Sequence, residues 1–354
     1  MERIDLPYLT LEVNDQDPSA AINEFFRSLL EQGIVDALLL PQEVESKTSV
    51  AHTLVGHPAG VRASCPAAPV SLVNAARLVS DLTSSEVDRR IGVVLRPCEA
   101  RALVELVKLR QARLEPLLII GIDCLGTFES CHYRQLVEEG GLSPDGWLAR
   151  ARGGEPKAAG ETGLRPACRM CPDLTTPRAS LQIGWVGVES GRLLLQCEDL
   201  LAEELRTKLG LSPGTAPPGR ESLLAELRAR RALAREEAMA QMAGIIKDPV
   251  ALAALLSTCQ RCHNCRRACP ICFCRQCVFE GETFEHSGQH YLHLAGRKDL
   301  IKMPAGTLLF HLTRVNHMGL SCVGCGYCES ACPSRLPLAA LFQYFGREVQ
   351  GLFD

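Results

Sequence analysis

No stretch of this 354-residue chain stays apolar for the roughly 20 residues that a membrane span requires, so none is expected. Neither sign of charge dominates. The 38 Lys and Arg face 41 Asp and Glu, and the formal charge of −3 offers no footing for a nucleic-acid partner. The opening Met1-Glu2-Arg3-Ile4-Asp5 lacks the basic, apolar and small-residue succession of a secretory signal. No general acid/base pair, activated nucleophile or dinucleotide fingerprint is legible, so no catalytic residue is assigned. What is present in excess is cysteine, 18 residues of it. Without an export signal these do not suggest disulfides, because cytosolic thiols are kept reduced. They suggest metal ligands in a cytoplasmic, reducing setting such as anaerobic metabolism. Length and a hydrophobic content of 46% allow two or three domains with a sizeable core.

The first 200 residues read as alternating helices and strands. Asp17 or Ser19 caps a helix carrying Ile22, Phe25, Phe26, Leu29 and Leu30 at helical spacing, and Gly33 stops it. A buried strand over 34–40 is expected to end at Pro41, followed by a surface loop over 41–70 and a short helix within Ser71 to Leu82. Ile91 to Leu95 and Leu117 to Ile122 then form two strands around a helical stretch, a β-α-β unit whose strands should be parallel. Cys98 and Cys124 fall just past the carboxyl ends of those strands, where open α/β sheets build their sites. Residues 140–165 read as an exposed excursion. Cys168-x2-Cys171 follows, and then a hairpin turning at Ser190-Gly191. With Cys98 and Cys124, this C-x2-C completes a set of four thiolates that suits a metal cluster, although zinc stays open for it. From 198 to 258 the pattern is helical, broken at 211–219. The arginines at 228, 230, 231 and 235 read as a solvated helix face.

The C-terminal third carries Cys259-x2-Cys262-x2-Cys265-x3-Cys269-Pro270 and Cys322-x2-Cys325-x2-Cys328-x3-Cys332-Pro333. Each run resembles half of a bacterial ferredoxin with two [4Fe–4S] clusters, in which three thiolates wrap one cubane and the fourth crosses to the other. That resemblance implies one cluster on Cys259, Cys262, Cys265 and Cys332, and a second on Cys322, Cys325, Cys328 and Cys269. C-x2-C repeats also serve zinc, but two complete runs closed by Cys-Pro favour iron–sulfur. Residues 270–321 separate the runs, so an insertion with its own helix, including Leu308 to His317, must pack beside the clusters. Gly324 and Gly326 suit a loop whose N–H groups approach cluster sulfur. Cys272, Cys274 and Cys277 crowd behind Cys269, either as further ligands or as packed thiols. Cys65, Cys131 and Cys197 read as core or surface thiols, and the histidines at 286, 290 and 293 as weak metal candidates.

Three motifs carry a wider resemblance. Leu95-Arg96-Pro97-Cys98-Glu99-Ala100, Ile120-Gly121-Ile122-Asp123-Cys124-Leu125-Gly126-Thr127-Phe128, and Cys168-x2-Cys171-x-Asp173 followed by Ile183-Gly184-Trp185-Val186-Gly187 resemble the β subunits of coenzyme F420-reducing hydrogenases and F420-dependent formate dehydrogenases. The resemblance implies a third [4Fe–4S] cluster on Cys98, Cys124, Cys168 and Cys171. Members that bind FAD and reduce F420 open with a glycine-rich turn into the first helix, where this chain has Asp17-Pro18-Ser19-Ala20-Ala21-Ile22. A phosphate there would meet Cβ atoms and a carboxylate, which argues against FAD. The segment His317 to Glu329, with Ala331-Cys332-Pro333 and Leu336-Pro337-Leu338, is similar to the ferredoxin-like subunits of heterodisulfide reductases.

The expected architecture is an α/β domain with a mostly parallel sheet over residues 1–205, a helical linker over 206–250, and a mainly α-helical two-cluster ferredoxin-like domain over 251–354. Its expected role is a non-catalytic electron-transfer subunit. Other subunits of a redox complex would be its partners, of hydrogenase or formate dehydrogenase type on one side and heterodisulfide reductase type on the other. The alternatives are a flavin-containing catalytic β subunit reducing F420 or a nicotinamide, and a zinc-stabilised interaction module.

Overall fold

The computed structural model describes residues 6–14, 17–154, 163–282, 284, 286–298 and 306–353. The chain divides into two compact units, Met1–Ala234 and Arg235–Asp354. In the first, strands β1 (Tyr8–Glu12), β2 (Ala37–Glu43), β3 (Val50–Val55), β4 (Ile91–Leu95), β5 (Leu117–Ile122), β6 (Leu181–Gly184), β7 (Arg192–Cys197) and β8 (Ser212–Gly214) build one sheet. Its order is β3-β2-β4-β5-β6-β7-β1-β8. Helices α1 (Pro18–Glu31), α2 (Ala75–Leu82), α3 (Pro97–Lys108), α4 (Ser130–Glu138), α5 (Pro144–Ala151), α6 (Pro166–Arg169) and α7 (Asp199–Leu209) are interleaved with them. Helix α8 (Arg220–Ile245) begins in this unit.

The expected parallel β4-α3-β5 crossover is present, with Val93 opposite Ile119. The sheet as a whole is mixed rather than mostly parallel. Only β2–β4, β4–β5 and β5–β6 are parallel, while β3, β7, β1 and β8 join antiparallel. A parallel pair needs a long crossover between its strands, and only the centre of this sheet has them; β2–β3 and β6–β7 are joined by short returns.

Local chemistry explains most boundaries. Asp17 caps α1, accepting the Ala20 N–H at 2.8 Å with Pro18 at the first helical position, and Ile22, Phe25, Phe26 and Leu29 face the core. Strand β2 runs through Pro41 instead of ending there. It pairs with β4 only over Ala37–Leu39, so beyond that point the missing proline N–H costs no ladder bond, and β3 continues the pairing to Glu43. The expected surface loop over 41–70 instead holds β3 and the buried residues Cys65, Ala67, Ala68 and Val70. The expected excursion over 140–165 holds α5, which buries Trp147, Leu148 and Ala151; residues 155–162 lie outside the described residues. The segment read as a linker contributes β8 to the sheet edge, and Leu224 and Leu227 of α8 to the core.

The second unit is helical among the described residues: α9 (Pro249–Leu255), α10 (Asn264–Ala268), α11 (Gly288–Lys298), α12 (Thr307–Met318), α13 (Tyr327–Ser330) and α14 (Leu338–Gln350). The helix expected around Leu308 to His317 is α12. Leu252, Leu256, Phe279, Phe310, Leu336, Leu341 and Phe342 form the core. A Cβ at Gly346 of α14 would collide with the Gly319 carbonyl, so glycine permits that close approach. No single helix among the described residues is long and apolar enough to cross a membrane.

Candidate metal centres

The two cysteine runs fold into the same local shape. In each, the second residue after the first cysteine and the residue after the second cysteine take positive φ: Arg261 (55°) and His263 (58°) in one, Gly324 (65°) and Gly326 (74°) in the other. The chain then enters a short helix, α10 carrying Cys265 or α13 carrying Cys328. Holding Arg261 and His263 left-handed costs roughly 1–2 kcal/mol each. That cost is absent from the second run, where both positions are glycine.

The fourth cysteine of each run crosses to the other set. Cys259, Cys262, Cys265 and Cys332 line one small cavity. Cys269, Cys322, Cys325 and Cys328 line another. Neither cavity is lined by Cys272, Cys274 or Cys277. Those three lie around Arg266, whose Nη2 donates to the Cys274 carbonyl at 3.2 Å and pairs with Glu280 at 3.4 Å.

Burial drives Cys259 and Cys265 of one set and Cys328 of the other towards the neutral form. It pushes Cys265 up to about 11 against the opposing pull of Arg314, and pushes Cys328 well above its ordinary value. Thiols of this kind ionise when a bound cation supplies the compensating charge. Buried polar atoms around the cavities also lack partners among the described residues: His263 Nε2, His311 Nδ1, and Arg314 Nε and Nη1. Burial, with Arg314 and His263 nearby, lowers the His311 imidazole to about 4, so the ring is neutral. Its Nε2 shares a hydrogen bond with Cys259 Sγ at 3.3 Å.

The first unit places four further cysteines near one another. Cys98 lies in the first turn of α3 after Pro97, and Cys124 directly follows β5. Cys168 sits on α6, with Cys171 just beyond it. Cys124 is pushed up to about 11 by burial, eased by Arg96 and then raised by the charges of Cys168 and Cys171. Burial works against ionisation of Cys168 too, yet Arg165, the Thr127 N–H and hydroxyl, and Arg231 together bring it below its ordinary value. Thr127 N donates to Cys168 Sγ at 3.4 Å. Arg101 pairs with Asp173 and directs Nη2 to Cys171 Sγ at 3.8 Å, and it also feels Cys98.

Arg231 is not on a solvated face. It is 2% exposed, donates Nη2 to the Leu125 carbonyl at 2.6 Å and Nη1 to the Cys171 carbonyl at 3.3 Å, and so ties α8 to two of the cysteine loops. Gly126 holds φ +105°, and a Cβ there would stand 2.9 Å from the Cys168 Cβ. Gly126→Ala is therefore expected to cost about 1–3 kcal/mol, read as a lowered thermal unfolding midpoint.

Other candidates separate from these sets. Cys65 and Cys197 are core thiols and Cys131 is exposed. His286 and His290 stack ring on ring at 4.3 Å. No three described His, Cys, Asp or Glu side chains converge tightly enough to share one metal ion.

The N-terminus of α1 does not fit a flavin phosphate. Asp17 already occupies it as the cap, and Ser19 donates to Asp145 at 2.5 Å, which brings a second carboxylate to the same turn. The adjoining groove is also lined by Glu12, Glu24 and Glu43.

Residues 88–198 match the family model for the C-terminal part of the coenzyme F420 hydrogenase/dehydrogenase beta subunit. The F420-dependent formate dehydrogenase subunit beta of Methanocaldococcus jannaschii is 24% identical over 347 residues, covering 91% of this chain and 87% of its own. The F420-dependent formate dehydrogenase 1 subunit beta of Methanococcus maripaludis is 24% identical over 358 residues, covering 91% and 86%. Both alignments are long enough to reach into both units. A chain from the F420-reducing [NiFe] hydrogenase complex of Methanosarcina barkeri superposes on 67% of this chain and 91% of its own, at 15% identity and a TM-score of 0.49.

Proposed function

We propose that the chain, whose residues 88–198 match the family model for the beta subunit of coenzyme F420 hydrogenases and dehydrogenases, is an iron–sulfur electron-transfer subunit of a multi-subunit oxidoreductase. The observation that carries the reading is the crossed assembly of the two C-terminal thiol sets around separate cavities. Each set takes three ligands from one run and one from the other, as a two-cluster ferredoxin requires and a pair of independent zinc knuckles does not. Cys259, Cys262, Cys265 and Cys332 would hold one [4Fe–4S] cluster, and Cys269, Cys322, Cys325 and Cys328 a second. Cys98, Cys124, Cys168 and Cys171 would hold a third. When bound, such clusters accept and return single electrons.

The chain's own contribution is to bury most of these thiols and to balance their charge with Arg96, Arg101, Arg165, Arg231 and Arg314. The partners fitting this role are a formate dehydrogenase- or hydrogenase-type subunit on one side and a heterodisulfide reductase-type subunit on the other, in a reducing, cytoplasmic setting. The flavin-containing alternative is disfavoured by the two carboxylates at the α1 N-terminus.

Anaerobic purification of the full chain, with iron, sulfide, zinc and flavin analysis, tests this. The expected result is about twelve irons and twelve sulfides per chain, without stoichiometric FAD. Zinc in place of iron would refute the electron-transfer reading, and stoichiometric FAD would favour the catalytic one. Cys98→Ala is expected to remove about four irons; an unaltered count would displace the third cluster from the strand ends.

A further inference from the structure

Arg314 lies on α12 at 5% exposure, and it has no carboxylate partner among the described residues. Its Nη2 donates to the Cys265 carbonyl at 3.2 Å, while Nε and Nη1 are buried without partners among the described residues. The guanidinium stands 4.6 Å from the ring centroid of Phe342 and 5.6 Å from that of Phe310. Those two rings belong to different walls: Phe342 lines the cavity of Cys269, Cys322, Cys325 and Cys328, and Phe310 that of Cys259, Cys262, Cys265 and Cys332. Arg314 itself lines the first cavity and bonds to a ligand residue of the second.

A buried cation needs an anion, because the faces of two aromatic rings return less than the desolvation removes. The ionisable groups facing Arg314 are the thiols of Cys265 and Cys328 foremost, then Cys269 and Cys272, together with the neutral His311 ring. Its neighbours among the ionisable groups of α12 and the cysteine loops therefore come from both sets. A planar guanidinium presents donors on several edges at once, which a lysine ammonium on a single stem does not.

We propose that Arg314 is a counter-ion shared by the two C-terminal cluster sites, stabilising the electron-rich state of each and so raising both midpoint potentials. The proposal rests on the reading of those sites as [4Fe–4S] centres. Each added electron deepens the negative charge of a site, and a fixed cation in a low-dielectric interior favours that state. Because one side chain serves two sites, its loss should move both together. The third set, in the other unit, has its own arginines and should not respond.

The test compares the full-length wild type, Arg314→Met and Arg314→Lys, purified anaerobically, by metal analysis and EPR-monitored redox titration. Arg314→Met is expected to keep its iron and to shift both ferredoxin-type centres to more negative midpoints, with the third centre unmoved. Arg314→Lys should lie nearer the wild type. Unmoved midpoints in an iron-replete Arg314→Met, or a shift of one centre alone, would overturn the shared role. If Arg314→Met loses iron, Arg314→Lys decides: iron retained by the lysine variant supports a charge requirement, and equal loss overturns it. Zinc instead of iron in the wild type would overturn the reading of the sites and the proposal with it. Iron with unmoved midpoints overturns only the proposal.

Discussion

Cys332→Ala should strip the cluster of the other run, not that of its own. Cys332 follows Cys322, Cys325 and Cys328 in sequence, yet it lines the cavity of Cys259, Cys262 and Cys265. Removing it leaves that site with three thiolates, while the second site keeps all four of its own. The expected loss is about four of twelve irons, together with one ferredoxin-type EPR signal. The identity of the lost centre follows from non-additivity, since residues serving one site fail together and residues serving different sites fail independently. Cys262→Ala with Cys332→Ala should therefore lose no more iron than either alone, whereas Cys325→Ala with Cys332→Ala should lose about eight irons. Should Cys325→Ala with Cys332→Ala retain as much iron as Cys332→Ala, the crossing is wrong and each run closes on itself. Electron flow through the assembled complex should stop in Cys332→Ala, because a relay fails at any missing centre.

The shape of the two cysteine runs was legible because its signal is local. A run of four cysteines with fixed spacing constrains the loop regardless of what packs on it, and both runs adopt matching left-handed positions although only one has glycines there. The β4-α3-β5 crossover was legible for the same reason: two short apolar strands flank one amphipathic helix, and the chain length between them permits only a parallel return.

What escaped was decided by tertiary partners. Pro41 is a reliable terminator only where the strand is paired on the side its nitrogen faces, and that depends on how far β4 extends. The edge strand β8 is three residues long and rich in turn formers, so only its pairing with β1 identifies it. Arg231 sits in a charged helix beside Arg230, and its burial comes from distant carbonyls, that of Leu125 being 106 positions away. The signal for Arg314 was present but inverted. Phe310, His311, Arg314 and Met318 share the buried face of α12, while Leu309 and Leu312 are exposed. A helix that hides arginine and histidine while showing leucine to the surface has an anionic neighbour to satisfy.

Asp123→Ala should be among the most destabilising single substitutions in the α/β unit, at about 3–5 kcal/mol. That is a large part of the roughly 5–15 kcal/mol that holds a typical domain folded. Asp123 is 1% exposed and directly follows β5, immediately before Cys124. Its carboxylate accepts the Trp185 and Val186 N–H groups at 2.8 and 2.9 Å, and Arg220 Nη1 and Nη2 at 2.7 and 2.9 Å. One side chain thus joins β5 to the turn after β6 and to the start of α8. Alanine leaves the Arg220 guanidinium buried without its partner and two backbone donors unmet, which is the costly direction for a buried pair. Asp123→Asn keeps an acceptor for the backbone but not the charge, so it should fall between wild type and alanine. Arg220→Met added to Asp123→Asn should recover stability, because no unpaired charge then remains. Thermal unfolding of the wild type and these three variants under anaerobic conditions reads the comparison. If Asp123→Ala melts with the wild type, the carboxylate is not the clasp its contacts describe. Iron content gives a second readout: loss of the clasp frees the end of β5, so Asp123→Ala should also release the cluster of Cys124 while both C-terminal centres persist.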